Sequence, residues 1–266
     1  MKLGRCDKYS PNRVICYYVS MLDKIVGKYS IVKNRTVNVN YTPVDAITSS
    51  KITNPGGAYL TVLFPPWHGG VAVYDKLTRR LVKNGSAVLA YKFHGQILQP
   101  DVQMVIKSYE HIQKTVTNKI HELVEKYSYQ YVDLTACSLG NVALLLVAST
   151  YPDFRKATLI VSGSTLARDM WEGSRTGIIR QQFEATGITE SMLSKAWANL
   201  APSSHVAALA GKEVTMYISG TDKVIPARYQ QEMADAVLAV NPKTRVYVYA
   251  RGHVASVAGY GLHGKL

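Results

Sequence analysis

Three residues whose types cooperate in nucleophilic catalysis occur in the order serine, aspartate, histidine: Ser138, Asp222 and His253. A serine hydroxyl is a poor nucleophile at neutral pH, so it needs a base within hydrogen-bond reach, and the base needs a carboxylate to orient it. Each of the three follows a stretch with strand-like composition. Because ligands of parallel sheets gather at the carboxyl ends of the strands, the pattern predicts that these side chains meet at one edge of a sheet.

Ser138 lies in the pentapeptide Ala136-Cys-Ser-Leu-Gly140, between a strand-like stretch (129–135) and an apolar, helix-like stretch (139–151). A sharp turn from strand to helix can hold a serine in a strained conformation with its side chain exposed above the sheet. Small residues two positions before and after leave room for that turn. The usual pattern is G-x-S-x-G, so alanine replaces the first glycine here. The alternative is a serine that merely caps a helix after a strand.

The bulk composition limits the class of protein. The chain has 266 residues, of which 47% are hydrophobic, which suits one large domain or two small ones. We find no run of about 20 apolar residues, as a membrane span requires, and no secretory signal. Cys6, Cys16 and Cys137 form neither a disulfide framework nor a metal-ligand pattern. We therefore expect a metal-free protein in a reducing cytoplasm.

Positive charge is concentrated near the N-terminus. The net charge is +13, and residues 1–40 hold eight lysines and arginines against two aspartates. Such a balance could attract nucleic acid, anionic lipid or an acidic substrate. No nucleic-acid-binding motif accompanies it, so we expect no nucleic-acid partner. Residues 14–28 carry apolar residues at helical spacing. We predict a helical extension over residues 1–30 that packs on the protein, contacts a second subunit or binds anionic membranes weakly; packing is favoured.

Strand-like and helix-like stretches alternate along the rest of the chain. Strand-like alternation runs through residues 30–53 and is clearest at 36–41. Further strands are predicted at 58–64, 86–91, 129–135, 157–162, 213–218 and 244–250, and helices at 71–83, 101–126 and 139–151 and from 227 to about 240. This alternation predicts an α/β fold, with a mostly parallel central sheet and helices on both faces. Residues 165–205 are polar, helical in character and without a convincing strand, so we predict an insertion over the carboxyl edge of the sheet.

The chain resembles the α/β-hydrolase superfamily over residues 35–262. The motifs that carry the resemblance are the pentapeptide 136–140, the Gly220-Thr-Asp222 loop with Pro226, the Gly252-His253 pair and the Pro65-Pro-Trp-His-Gly-Gly70 loop. The resemblance implies that Ser138 is the nucleophile and His253 the general base, and that Asp222 holds the imidazole in the right tautomer. It further implies a single hydrolase domain over residues 1–266, a helical cap at 165–205 and no cofactor.

The resemblance also implies an oxyanion hole, formed by the backbone N–H of Leu139 and an N–H from the loop after the third strand. We assign that second donor to Trp67, with His68 as the other possibility, because Pro66 has no N–H. His68 and the cap residues Trp171 and Trp197 are candidate substrate-binding residues. Trp171, Trp197 and Met170 suggest a partly apolar acyl pocket, although the same residues could form the core of the cap.

The predicted function is that of a cytoplasmic serine hydrolase that cleaves a small-molecule ester, thioester or amide through an acyl-enzyme. Two alternatives stay open. An acyltransferase would use the same three residues with a nucleophile other than water. A non-catalytic protein of this fold would use the pocket to bind a small molecule. The sequence does not indicate the oligomeric state.

Overall fold

The computed structural model describes residues 46–68 and 71–263. The predicted N-terminal extension and the strand-like stretch 36–41 lie outside the described residues. The strands are β1 (Ile47–Thr53), β2 (Tyr59–Phe64), β3 (Ser86–Phe93), β4 (Val132–Cys137), β5 (Phe154–Ile160), β6 (Glu213–Ser219) and β7 (Arg245–Tyr249). The helices are α1 (Val71–Lys83), α2 (Val102–Tyr127), α3 (Gly140–Thr150), α4 (Leu166–Glu172), α5 (Gly177–Ala185), α6 (Glu190–Ala196), α7 (Ala227–Val240) and α8 (His253–His263).

The strands form one open sheet in the order β1-β3-β2-β4-β5-β6-β7. The edge strand β1 pairs with β3 in the antiparallel direction, and every other neighbouring pair is parallel. The mostly parallel α/β architecture predicted from the sequence is therefore confirmed. Because β4, β5, β6 and β7 are adjacent and parallel, their carboxyl ends share one edge of the sheet.

Helices cover both faces of the sheet. Successive side chains of a strand point to opposite faces, and the two apolar clusters follow that alternation: Phe64 belongs to one and Leu63 to the other. The cluster with Phe64 includes buried residues of α2, α3 and α7. The cluster with Leu63 includes residues of α1 and α8. Both faces of the central strands are thus removed from water, as parallel sheets require.

Strand β4 and helix α3 occupy the centre of the molecule. All six residues of β4 are buried, and α3 buries every residue from Gly140 to Ala148. A helix that is apolar all round is stable only when it is covered on all sides. Helix α2 and the 3₁₀ segment Pro202–Leu209 pack against α3 and supply that cover. The turn between β4 and α3 is therefore held by a rigid surround.

The boundaries of α2 show how local chemistry sets the elements. Asp101 caps the helix, and its Oδ1 accepts hydrogen bonds from the N–H groups of Gln103 and Met104, both at 2.9 Å. Ser128 ends the helix in the left-handed conformation, with φ of 54°. The Tyr129 hydroxyl then donates to the carbonyl of Pro55. Strand β4 accordingly begins at Val132, three residues later than predicted, because residues 129–131 bring the chain from the helix to the sheet.

The segment between β5 and β6 contains helices α4, α5 and α6 and two 3₁₀ segments, and no strand. Its loop after α4 lies on the loop after β6, where the Ser174 N–H donates to the Lys223 carbonyl at 2.8 Å. This segment is called the cap segment below. Across the part of the chain that the structure describes, no helix is long and apolar enough to cross a membrane.

Candidate active site

The turn after β4 holds Ser138 in an unusual backbone conformation. Its φ is +53°, in the left-handed region that residues other than glycine rarely adopt. The Ser138 N–H donates to the carbonyl of Ile160 on β5 at 2.9 Å, which fixes the turn to the neighbouring strand. Strain of this kind persists only where the surrounding structure enforces it, and it occurs often at functional sites. The strand, the turn and the helix match the geometry of a nucleophile elbow.

The small residues at positions 136 and 140 are accommodated for different physical reasons. A β-carbon at residue 140 would lie 2.5 Å from the carbonyl oxygen of Pro65 and 2.6 Å from that of Phe64, so only glycine fits there. Ala136 pairs with Phe64 and Leu159 in the sheet and is fully buried. Its methyl group is therefore accommodated in the core. The alanine departs from the usual pattern without disturbing the turn.

Asp222 and His253 form a direct hydrogen bond. His253 Nδ1 lies 2.7 Å from Asp222 Oδ2, and both residues are buried. An ionised carboxylate only accepts hydrogen bonds, so Nδ1 carries the proton in this pair. The other ring nitrogen of His253 is then left as an acceptor in the neutral imidazole, as a general base requires.

The Asp222 carboxylate is held from both sides. Its Oδ1 accepts the backbone N–H groups of Val224 at 2.8 Å and Ile225 at 3.2 Å. Its Oδ2 accepts the Gln230 amide at 2.8 Å in addition to the imidazole. Gln230 lies on α7, eight residues beyond Asp222. No sequence motif marks Gln230, and its only signal is its position in the helix after the aspartate loop.

Helix α8 brings His253 back to the sheet edge that carries Ser138. The helix begins at His253 and packs on β5 and β6. Its residues Val257 and Tyr260 are buried in the same apolar cluster as Cys137, the residue before Ser138. Strand β5 lies between the strands that precede Ser138 and Asp222. All three predicted residues thus lie at the carboxyl edge of the sheet, and two of them are in contact.

The end of β5, between these strands, is also strained. Val161 has φ of +47°, which is a clear outlier for a β-branched residue, and its N–H donates to the Tyr217 carbonyl at 2.7 Å. Two residues later, a β-carbon at Gly163 would overlap the carboxyl group of Asp169 on α4. Because Gly163 has no side chain, the carboxyl group of Asp169 on α4 can lie directly against the end of the strand.

Asp169 is an acidic group in an environment that opposes its charge. Its Oδ1 is buried and has no hydrogen-bond partner among the described residues. Burial raises the pKa of Asp169 well above its ordinary value. Arg168 acts in the opposite direction, and the charges of Asp222 and Glu232 add to the increase. The carboxyl group therefore favours its neutral form over a wider pH range than an exposed aspartate does.

The predicted oxyanion donors belong to two turns, one directly after Ser138 and one after β2. Leu139 precedes the first turn of α3, where backbone N–H groups have no intrahelical acceptor. Trp67 follows β2 and is anchored because its indole Nε1 donates to the Gly95 carbonyl at 2.7 Å. The rings of Trp67 and His68 lie 4.4 Å apart. His68 is exposed overall, yet desolvation of its imidazole lowers its pKa.

Comparisons with known proteins show which fold this is. No family model and no curated protein matches the chain. The esterase Pf2001 of Pyrococcus furiosus aligns with a TM-score of 0.57 at 13% identity, covering 86% of this chain and 93% of its own. A cold-adapted esterase from an Arctic intertidal metagenomic library gives 0.55 at 11% identity, covering 78% and 80%. The acylaminoacyl peptidase of Pyrococcus horikoshii gives 0.58 at 9% identity, covering 78% of this chain and 35% of its own.

The chain has the α/β-hydrolase fold. The low identities carry over no substrate. In this chain Ser138 follows the central strand β4, which is flanked by β2 and β5.

Within this α/β-hydrolase fold, the two tryptophans of the cap segment that were predicted to bind substrate, Trp171 and Trp197, differ in how deeply they are buried. Trp197 is 1% exposed, packs edge-on against Phe183 and donates its indole N–H to the Val102 carbonyl at 3.1 Å. Met170 is also 1% exposed. These two side chains form part of the cap core, which was one of the two predicted possibilities. Trp171 is half-buried and packs against the apolar core.

A second polar residue of the site region, Asn141, was also not predicted from the sequence. Asn141 is 1% exposed, and its Nδ2 donates to the carbonyls of Ser138 at 2.8 Å and Ile160 at 2.9 Å. It therefore fastens the elbow to β5. Asn141 and Gln230 each lie inside an apolar or helical stretch, so no motif marks them. Across the described residues, no group of three or more histidine, cysteine or acidic side chains could hold a metal ion.

Proposed function

We propose that this protein is a serine hydrolase that cleaves an ester, thioester or amide through an acyl-enzyme. The observation that carries the proposal is the buried hydrogen bond from His253 to Asp222, at the sheet edge that also carries the strained Ser138. A histidine oriented by a carboxylate, at the same sheet edge as a serine in a strand-to-helix turn, is the arrangement that can activate a hydroxyl nucleophile. The esterase and peptidase structures of the same fold support the reaction class.

In the first half of the proposed reaction, Ser138 Oγ attacks the acyl carbon of the substrate. His253 Nε2 takes the hydroxyl proton as the C–O bond forms, and Asp222 stabilises the resulting imidazolium. The carbonyl π electrons move to the oxygen, which becomes an oxyanion. When the tetrahedral intermediate collapses, the bond to the leaving group breaks and the imidazolium returns its proton to that group. An alcohol, thiol or amine leaves, and Ser138 carries the acyl group.

In the second half, water takes the place of the leaving group. His253 removes a proton from the water, whose oxygen attacks the acyl-enzyme. The second tetrahedral intermediate collapses, and the proton on His253 passes to Ser138 Oγ as the free acid forms. The backbone N–H groups of Leu139 and Trp67 are proposed to bind both oxyanions. Each such donor typically lowers the barrier by about 3 kcal/mol.

The proposed substrate is a small molecule whose acyl group is at least partly apolar, with Trp171 and His68 as candidate contacts. An acyltransferase would follow the same first half and then use an alcohol or amine in place of water. Product analysis separates the two activities, because only a hydrolase releases the free acid when no acceptor other than water is present.

The test is covalent labelling by a fluorophosphonate, which reacts with an activated serine. We expect wild type to gain one adduct, measured by intact mass, and Ser138→Ala and His253→Ala to gain none over the same period. Ser149→Ala is the matched control, because Ser149 is exposed at the far end of α3. A folded wild-type protein that does not react would overturn the proposal and would favour a small-molecule-binding function for the same site.

A further inference from the structure

Gln230 makes three hydrogen bonds within the loop that carries Asp222. Its Nε2 donates to Asp222 Oδ2 at 2.8 Å and to the Ile225 carbonyl at 2.9 Å. Its Oε1 accepts the Ser219 N–H at 2.8 Å. The side chain is fully buried. One amide therefore ties the end of β6 to the start of α7 and contacts the carboxylate between them.

These three partners fix the orientation of the amide. Both N–H bonds of Nε2 point to oxygen acceptors, and the acceptor Oε1 faces a backbone donor. A flipped amide would place its oxygen against the Asp222 carboxylate and the Ile225 carbonyl, and its N–H groups against the Ser219 N–H. Burial makes each of those mismatches costly, because no water can replace a lost partner. The Gln230 amide thus has one allowed state.

Gln230 matters because the two carboxylate oxygens of Asp222 have different hydrogen-bond donors. The backbone donors of Val224 and Ile225 both bind Oδ1. The oxygen that accepts His253, Oδ2, has Gln230 as its other donor among the described residues. The amide therefore acts on the oxygen that orients the imidazole, and it restrains rotation of the carboxylate about its last bond.

We propose that Gln230 is a positioning residue for the reaction: it holds Asp222 Oδ2 at the angle from which that oxygen orients His253. This inference rests on the proposed hydrolase function and extends it to a residue on α7. The competing explanation is that Gln230 only satisfies buried backbone groups of the loop. That role would affect stability and leave the geometry of the Asp222–His253 pair unchanged.

The experiment compares Gln230→Met with Gln231→Met. Methionine has nearly the length of glutamine and makes no comparable hydrogen bond, and Gln231 is the exposed neighbour on the same helix. We expect Gln230→Met to slow the maximal rate of fluorophosphonate labelling about 10- to 100-fold, the usual cost of losing a partner that orients a reactive group. The concentration for half-maximal rate should stay unchanged, because Gln230 does not touch the probe. Gln231→Met should label as wild type does.

A second measurement follows the proton between His253 and Asp222 directly. It uses Ser138→Ala protein, so it does not depend on a reactive serine. We expect a low-field proton resonance, absent in His253→Ala, that broadens or moves in Gln230→Met and is retained in Gln231→Met. A purely structural Gln230 would leave both the resonance and the labelling rate of folded protein at wild-type values, and that result would overturn the proposal.

The outcomes separate the two proposals. If wild type does not label, the hydrolase function fails, and the resonance alone decides whether Gln230 positions Asp222. If Gln230→Met does not fold, Gln230→Glu replaces it. Glutamate keeps the acceptor for Ser219 and removes the amide N–H groups. Wild-type labelling by folded Gln230→Glu would then overturn the positioning role, and labelling slowed at least tenfold with a displaced resonance would support it.

Discussion

Gly140 and Phe64 are packed so closely that no side chain fits between them, because a β-carbon at residue 140 would lie 2.6 Å from the Phe64 carbonyl oxygen. Gly140 opens the helix after Ser138, and Phe64 ends the strand that leads to Trp67. The turn that carries Ser138, the proposed nucleophile, and the loop with the proposed second oxyanion donor are thus in direct contact. A change in one displaces the other.

We expect Gly140→Ala to lower the free energy of unfolding by about 1–3 kcal/mol, the usual cost of overpacking a rigid interior. It should also abolish or strongly slow labelling at Ser138, because the loop after β2 must move away. Chemical denaturation and intact mass measure the two effects. Gly177→Ala is the matched control: Gly177 also begins a helix, but a β-carbon there meets no atom within 4 Å. Equal behaviour of the two variants would refute the packing argument.

Asn141 fastens the elbow through two carbonyl groups, Ser138 at 2.8 Å and Ile160 at 2.9 Å. Asn141→Leu keeps the approximate shape and removes both bonds. We expect it to cost about 1–3 kcal/mol of stability and to slow labelling at Ser138, because the strained turn loses a restraint. Denaturant titration and labelling kinetics test the two expectations on the same protein.

A second buried asparagine supplies the control for that variant. Asn241 donates to two carbonyls in the same way, Leu209 at 2.8 Å and Lys212 at 2.9 Å, but it lies before β7, at the opposite edge of the sheet. Asn241→Leu should lose comparable stability and label at the wild-type rate. If both variants label equally slowly, the effect of Asn141 is general destabilisation and the restraint is not specific to the elbow.

The sequence predicted the fold because strands and helices leave periodic signals, and it offered candidate site residues because their positions after strands are visible in the chain. Apolar strands at regular intervals predicted the parallel sheet, and Asp101 marked the start of α2. Ser138, Asp222 and His253 could be selected because each follows a strand. The limits of β4 were less well predicted, since residues 129–131 have strand-like side chains but serve as a connection.

The supporting contacts could not be predicted, because they depend on where distant segments meet. In the sequence, Gln230 is indistinguishable from an ordinary helical residue. Its role follows only from the packing of α7 against the loop after β6. Asp169 reads as a surface residue of α4, and its environment follows from its contact with Gly163 on another segment. Trp197 could not be placed from the sequence for the same reason. A tryptophan side chain suits either a substrate pocket or a core, and only its burial in the folded protein shows that it belongs to the core.

Tyr229 joins the cap segment to α7. Its hydroxyl donates to Glu172 on α4, and the Arg168 guanidinium lies 4.1 Å from its ring centre and pairs with Glu232 at 2.8 Å. We expect Tyr229→Phe to lose about 1.5 kcal/mol, the lower range for a hydrogen bond to a charged group. Hydrogen exchange should rise within residues 166–172, because the ring stays while the hydroxyl loses its tie to α4, together with the hydrogen bond it accepts from Arg228 at 3.1 Å on its own helix.

The control for that variant is Tyr247→Phe, which alters an exposed tyrosine of the edge strand β7. Its effect should stay within about 0.5 kcal/mol, as for most surface changes. Exchange in α4 should match wild type. If Tyr229→Phe leaves α4 as protected as in wild type, the hydroxyl does not restrain the cap segment, and its other contacts are sufficient.

Asp169 predicts a pH dependence of stability. Because its folded pKa is raised, mainly by burial, the folded state gains nothing from its ionisation. Its favourable contribution is complete below the unfolded value of about 3.9 and is lost as pH rises through the folded value. Asp169→Asn should therefore match wild type near pH 4 and exceed it at pH 7 by about 1–3 kcal/mol, the usual cost of an unpaired buried group. Denaturation at several pH values measures the difference, with exposed Asp235→Asn as control. A gap that shrinks as pH rises would show that the folded protein instead stabilises the carboxylate.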